Sequence, residues 1–162
     1  MNNNIQHSIP SPVSMLSSIP AIFRNFSPEF LRGMLESARH LSFEAGEHIQ
    51  PNSENGCLEG YLIVEGRLAA IKQGQTIEIY NPGDFVGESF LHSKIFMDCE
   101  LVALDSAVIF AFDRESTLLF FRDKPEKLFK IFTINVVEAQ QKHICALYKR
   151  LGALMKEMER TL

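Results

Sequence analysis

The chain of 162 residues has no tryptophan, three cysteines and no apolar run of membrane-spanning length. Each shortage excludes something. Cys57, Cys99 and Cys145 are odd in number and far apart, so they form no disulfide framework, no CxxC zinc site and no four-thiolate cluster. They read as free thiols of a reducing compartment. A bilayer-spanning helix needs about 20 consecutive apolar residues, and the Asn/Ser-rich start lacks the basic-then-apolar order of a secretion signal. A cytoplasmic protein without membrane contact is therefore expected. Cations are also in deficit, with 16 Lys and Arg against 20 Asp and Glu and a net charge of −4. Gripping a nucleic acid requires clustered Lys and Arg, so these residues are not expected to touch DNA. No GxSxG, HExxH, Walker or Rossmann pattern occurs. The chain reads as a non-enzyme with no catalytic and no metal-binding residues.

What the chain does contain is hydrophobic residues at 46%, thirteen of its residues being phenylalanine, which predicts a phenylalanine-rich core. Residues 1–20 are rich in Asn, Ser and Pro and read as a flexible or loosely docked arm. Residues 21–125 carry a helix and a series of short strands, and residues 126–162 a long helix. The first helical stretch is placed at Ile22 to about His40. Within it Ser27 is the N-cap, Pro28 takes the first helical position and Glu29 favours the helix dipole. Phe30, Leu31, Met34, Leu35 and Ala38 share one face.

From Leu41 to Phe112 short strand-like runs alternate with turn signals at Ala45-Gly46, Glu65-Gly66, Gln73-Gly74 and Asp105-Ser106. Glu65-Gly66 is read as a hairpin turn. Many short strands at regular spacing predict an antiparallel sandwich or barrel. The fold class is thus α+β, mainly β. A short helix is expected over Ser116 to about Arg122, with a break at Asp123-Lys124-Pro125 and a long helix from about Glu126 to Arg160. In the long helix Val137, Ile144, Leu151 and Met158 recur by sevens, with Leu147 and Leu154 three residues behind members of that line and Gln140 in the same register. This coiled-coil-like seam outlasts the small sheet region and predicts a homodimer.

The densest signal lies in Tyr80 to Leu91, Y-N-P-G-D-F-V-G-E-S-F-L. Pro82-Gly83-Asp84 is a turn capped by Asp84. Gly87-Glu88 opens a segment whose backbone N–H groups suit an anion while Glu88 suits a hydroxyl, a combination matched to a ligand with both a phosphate and a sugar. Three runs occur in order. They are Phe43-x-x-Gly46-Glu47-x-Ile49, Tyr61-x-Ile63-x-x-Gly66 and Pro82-Gly83-Asp84-x-x-Gly87-Glu88-x-x-Leu91. Together they resemble the cyclic-nucleotide-binding domain, and more narrowly the sensor domain of Crp/Fnr-type bacterial regulators. The resemblance spans about Ile19 to Leu162. It implies an eight-stranded jelly-roll barrel with an N-terminal helix and a C-terminal helix that pairs two subunits.

The resemblance also implies that Glu88 accepts the ribose 2′-hydroxyl, beside Gly87 and Ser89. It implies an arginine some ten residues later, followed by Ser or Thr and a small residue, around the cyclic phosphate. Here those positions fall at Asp98, Cys99 and Glu100, and no arginine lies between Arg67 and Arg114. A carboxylate in place of a guanidinium replaces a bidentate contact by repulsion. Like charges some 4 Å apart cost roughly 4 kcal/mol at an effective dielectric of about 20, so ordinary cyclic AMP is not expected to bind.

By the same resemblance Lys142 and His143 face the pocket, and a Lys142–Asp98 ion pair is an alternative to a bound ligand. His92 and His143 leave a haem-based sensor open as a further alternative, though no cofactor is required. A stand-alone dimerisation module with an inert pocket is the remaining one. The chain ends in a helical pattern with no Gly cap or Pro stop. A helix-turn-helix domain is therefore expected to follow in a longer protein.

Overall fold

A computed structural model describes residues 13, 16, 18–50, 59–91 and 99–161, with the backbone alone for Glu88 and Ser89. A 3-10 turn at Ala21–Phe23 precedes helix α1 at Pro28–Glu36. Strands follow at Arg39–Phe43 (β1), His48–Ile49 (β2), Glu59–Glu65 (β3), Leu68–Lys72 (β4), Gln75–Tyr80 (β5) and Phe85–Val86 (β6). A 3-10 helix at Glu88–Leu91 leads on towards Glu100–Ala103 (β7) and Ala107–Asp113 (β8), then Arg114–Arg122 (α2) and Glu126–Thr161 (α3). Among the described residues no helix is long and apolar enough to cross a membrane.

The strands form two four-stranded sheets, ordered β1-β8-β3-β6 and β2-β7-β4-β5. Strand β1 pairs with β8, β2 with β7, β3 with β6 and β4 with β5, all antiparallel. The chain thus behaves as one long two-stranded ribbon, folded over on itself with the β4–β5 hairpin at its tip, which is jelly-roll topology. That hairpin turns through Gln73 (φ 52) and Gly74 (φ 74), the two left-handed residues a tight hairpin requires.

Two cores result. Between the sheets, Tyr61, Ile63, Ile109 and Ala111 meet Leu68, Ala70, Leu101 and Ala103. On the other face of the first sheet, Phe23, Phe26, Phe110, Phe112, Phe121 and Phe132 pack with Leu31, Met34 and Leu35 of α1. The ring centroids of Phe23 and Phe132 lie 6.1 Å apart and nearly parallel. Val13 and Leu16, from the stretch read as an arm, pack against this second core.

Helix α3 is anchored over its first third. Leu128, Phe132, Asn135 and Val136 are buried at the i, i+4, i+7, i+8 spacing of one helical face. Asn135 Nδ2 donates to the carbonyls of Ile22 at 3.2 Å and Arg24 at 2.8 Å, tying the helix to the Ala21–Phe23 turn. From residue 144 to 161 every α3 residue is exposed.

Three expectations need correction. The helix expected from Ile22 to His40 is interrupted, because Asn25 takes φ 69 and α1 starts only after the Ser27 cap, whose side chain accepts from the Phe30 N–H at 3.4 Å. Its end is displaced too, since Arg39 and His40 already pair with Ala111 and Phe110 in β1. Glu65-Gly66 is not a hairpin turn: β3 and β4 lie in different sheets. Gly66 takes φ +73 where a Cβ would sit 2.3 Å from the Ser106 carbonyl oxygen, so the chain crosses between sheets at a point of close backbone approach. Finally, α2 starts at Arg114 rather than Ser116, because the Asp113 carboxylate accepts from the Ser116 N–H at 2.8 Å and caps it.

Candidate functional site

The site is built outward from β6. Asp84 accepts from the Asn81 N–H at 2.8 Å and closes the turn as expected. Gly83 N–H donates to the Ile63 carbonyl at 2.8 Å, and Ile63 N–H to the Asp84 carbonyl at 3.0 Å. These bonds seat β6 on β3 with Tyr61 opposite Val86 and Leu62 opposite Phe85. The chain then leaves the sheet at Gly87 (φ +82), where a Cβ would lie 2.7 Å from the Glu59 carbonyl oxygen. Only glycine suits both the angle and the contact. Glu88–Leu91 follows as a 3-10 helix, started by the Phe90 N–H donating to the Gly87 carbonyl at 2.9 Å and pinned by the buried Phe90 ring. This helix packs against α3.

The other elements near this segment are β5 and α3. Pairing of Leu68 with Tyr80 and of Ala70 with Glu78 turns Tyr80 and Glu78 to the face that carries the inter-sheet core. Ile77 and Ile79 point the other way and are 42% and 48% exposed. His143 Nε2 lies 3.5 Å from Glu78 Oε2, and the Tyr80 hydroxyl donates to the same oxygen at 3.3 Å. Helix α3 therefore touches both the segment after Gly87 and the inward face of β5.

The expected site residues divide. Gly87 holds the turn. Glu88 and Ser89 open the 3-10 helix, with their side chains beyond description. Asp98, His92 and Lys94 lie outside the described residues, and with Asp98 the proposed Lys142–Asp98 pair. Cys99 is half-buried just before β7 and packs on the inter-sheet core. Lys142 is exposed on α3, and His143 is half-buried against Glu78. Val137, Ile144, Leu147, Leu151, Leu154 and Met158 are all exposed along α3.

Sequence reasoning missed Glu78 and Tyr80. The signal was present in Gln75–Tyr80, where isoleucines alternate with polar residues, but pairing with β4 puts the polar set inward. It also missed a buried polar group at the same end of the sandwich. The Glu59 side chain is 2% exposed and accepts from Arg39 Nη2, while the Tyr61 hydroxyl donates to its other oxygen at 2.9 Å. Burial, and after it the Glu59 carboxylate, hold the Tyr61 phenol well above its ordinary pKa. Arg39 and Tyr61 flank Ala111 in register, whose small side chain leaves Arg39 a path across the sheet. Gly87 abuts this group through the Glu59 carbonyl, so the Arg39–Glu59–Tyr61 network stiffens the strand on which the site is built.

Comparison with known proteins fits this geometry. Residues 40–124 match the family described as cyclic nucleotide-binding domain, and the chain belongs to it. Among solved structures it is similar to the catabolite activator protein of Thermus thermophilus, with TM-score 0.66 and 19% identity over 83% of this chain and 63% of that one. This chain thus spans less than two thirds of that protein. It is also similar to the N-terminal domain of a transcriptional regulator from Streptomyces coelicolor, with TM-score 0.65 and 14% identity over 78% of this chain and 91% of that one. A third likeness is to the sensor domain of the transcriptional regulator DNR from Pseudomonas aeruginosa, with TM-score 0.57 and 17% identity over 82% of this chain and 86% of that one. At these identities the likeness concerns the fold. No curated protein sequence matches the chain.

Proposed function

We propose that this chain is a non-catalytic ligand-sensing domain, the effector half of a Crp/Fnr-type bacterial transcription regulator, working in the cytoplasm as a homodimer. The course of α3 carries the reading. Its first part is fastened to the core, the helix packs on the segment after Gly87 and reaches Glu78 through His143, and its last part exposes Ile144, Leu147, Leu151, Leu154 and Met158. Eighteen exposed helical residues gain little from propensity alone in water, and an apolar seam at heptad spacing is satisfied by a second copy. A helix that borders a ligand cleft along its course and ends at a partner can convert occupancy of one into geometry of the other. The names of the Thermus, Streptomyces and Pseudomonas relatives support this direction.

In this reading Gly87, Glu88 and Ser89 meet the polar part of the ligand, Asp98 and Cys99 stand where a phosphate-binding arginine and hydroxyl are missing, and His143 and Lys142 approach from α3. The effector is therefore not ordinary cyclic AMP. Haem is not part of the reading: His143 faces Glu78 at 3.5 Å, and His92 lies outside the described residues.

Light scattering on the purified chain tests the pairing. A dimer at micromolar concentration is expected, and Leu147→Lys with Leu154→Lys should convert it to a folded monomer. A wild-type monomer under those conditions would remove the basis of the reading.

A further inference from the structure

The exposed part of α3 carries more apolar surface than one seam uses. A two-stranded coiled coil covers two lines of the heptad, here the line of Ile144, Leu151 and Met158 and the line of Leu147 and Leu154. Tyr148 and Met155 form a third line and are 70% and 55% exposed. Beside them on the helix surface stand two small residues, the exposed Cys145 and Gly152. Only proline is a poorer helix residue than glycine, yet Gly152 sits inside α3 with open space where a Cβ would be. No packing among the described residues requires a glycine there, whereas close approach of another backbone does. Along the helix this face reads Gln141, Cys145, Tyr148, Gly152, Met155 and Glu159, so small and large side chains alternate at helical spacing.

That order is complementary to itself when two such helices run antiparallel with Arg150 at the midpoint. Tyr148 of one then lies opposite Gly152 of the other, Cys145 opposite Met155, and the Gln141 amide opposite the Glu159 carboxylate. The two-fold axis repeats every contact, as an isologous interface requires, and each large side chain meets a small one, as close packing requires. A shift of one heptad either way breaks the match, setting Met155 against Glu138 or Tyr148 against Glu159. The face lies about 100° round the helix from the seam, near the right angle between neighbouring contacts of a four-helix bundle. We infer that α3 carries a second, self-complementary face, and that through it two homodimers join by antiparallel helix contacts into a four-chain assembly. This inference rests on the homodimer reading and adds to it a surface that the seam does not use. Lys142, Lys149 and Lys156 border the face and meet their own copies across it, so the association strengthens as salt screens them.

Sedimentation velocity of the intact chain reads the assembly. Concentrations from about 5 to about 200 µM suit a contact made by one helix face, which falls at the small end of interface sizes. A two-chain species should give way to a four-chain species as concentration rises, and the four-chain fraction should grow between about 0.1 and about 1 M NaCl. Gly152→Tyr sets a large side chain against Tyr148 and should stop assembly at the dimer, with the circular dichroism spectrum and Tm near wild type. Adding Tyr148→Ala to Gly152→Tyr again places a small residue opposite a large one and should restore the four-chain species. A dimer that associates no further, a four-chain species that Gly152→Tyr leaves intact, or a double variant that stays dimeric would overturn the inference and leave the sensor reading standing. A chain that is monomeric throughout would remove both.

Discussion

Gly66 and Gly74 have almost the same backbone angle, φ +73 and +74, in very different surroundings. At Gly74 an added Cβ meets open space, so Gly74→Ala should cost only the left-handed strain, about 1 kcal/mol. At Gly66 the same atom would press on the Ser106 carbonyl oxygen at 2.3 Å. Gly66→Ala should therefore cost about 3 kcal/mol, strain plus overpacking against backbone. Urea midpoints of the two variants give the comparison, and similar values would show that the inter-sheet crossing relaxes freely.

Tyr61 allows a test by pH. Its phenol is raised by burial and then by Glu59, so the folded chain holds that proton at pH values where the unfolded chain, with a phenol pKa near 10, releases it. The folded state then binds more protons, and the stability contributed is complete below about pH 10 and falls as pH rises beyond it. Absorbance at 295 nm should show one of the three tyrosines still un-ionised at pH 11 in the folded protein. Tyr61→Phe should abolish that silent phenol; full ionisation of all tyrosines in the folded wild type would contradict the buried Glu59–Tyr61 contact.

At the scale of elements, the caps and breaks around α1 and α3 were legible in the sequence. Ser27-Pro28 and the Leu31/Met34/Leu35 spacing announced α1, and Pro125 announced the start of α3, because caps and period are local chemistry. Asp113 is the cap that sequence reading passed over, and Asp113→Ala should destabilise by about 1 kcal/mol in chemical denaturation. Ser27→Ala should cost less, since its bond to the Phe30 N–H is long at 3.4 Å. A larger loss at Ser27 than at Asp113 would reverse the ranking of the two caps.

What stayed illegible depends on contacts distant in sequence. Glu65-Gly66 has the composition of a hairpin, and nothing local says that β3 pairs with β8 and β6 while β4 pairs with β5 and β7. The same limit hid Glu59 and Glu78. A one-residue change of register reverses every side chain of a strand, so an inward glutamate cannot be told from an outward one until its partner strand is known. The Gly87-Glu88 turn was legible because a required glycine marks itself by position.

For the whole molecule, the jelly roll supplies a stiff frame; in the proposed reading the segment after Gly87 and β5 border the ligand cleft, and α3 links both to an exposed seam. If only the phosphate contact separates this cleft from one that accepts a cyclic nucleotide, Asp98→Arg with Cys99→Ser should create measurable cyclic nucleotide affinity. Continued absence of binding would place further differences along the β5–α3 wall, where Glu78 and His143 stand. Calorimetric titration of the wild-type chain with cyclic AMP decides whether the site departs from its family as its sequence implies. No binding heat is expected up to millimolar nucleotide, whereas micromolar affinity would show that the chain carries an ordinary cyclic AMP site despite Asp98.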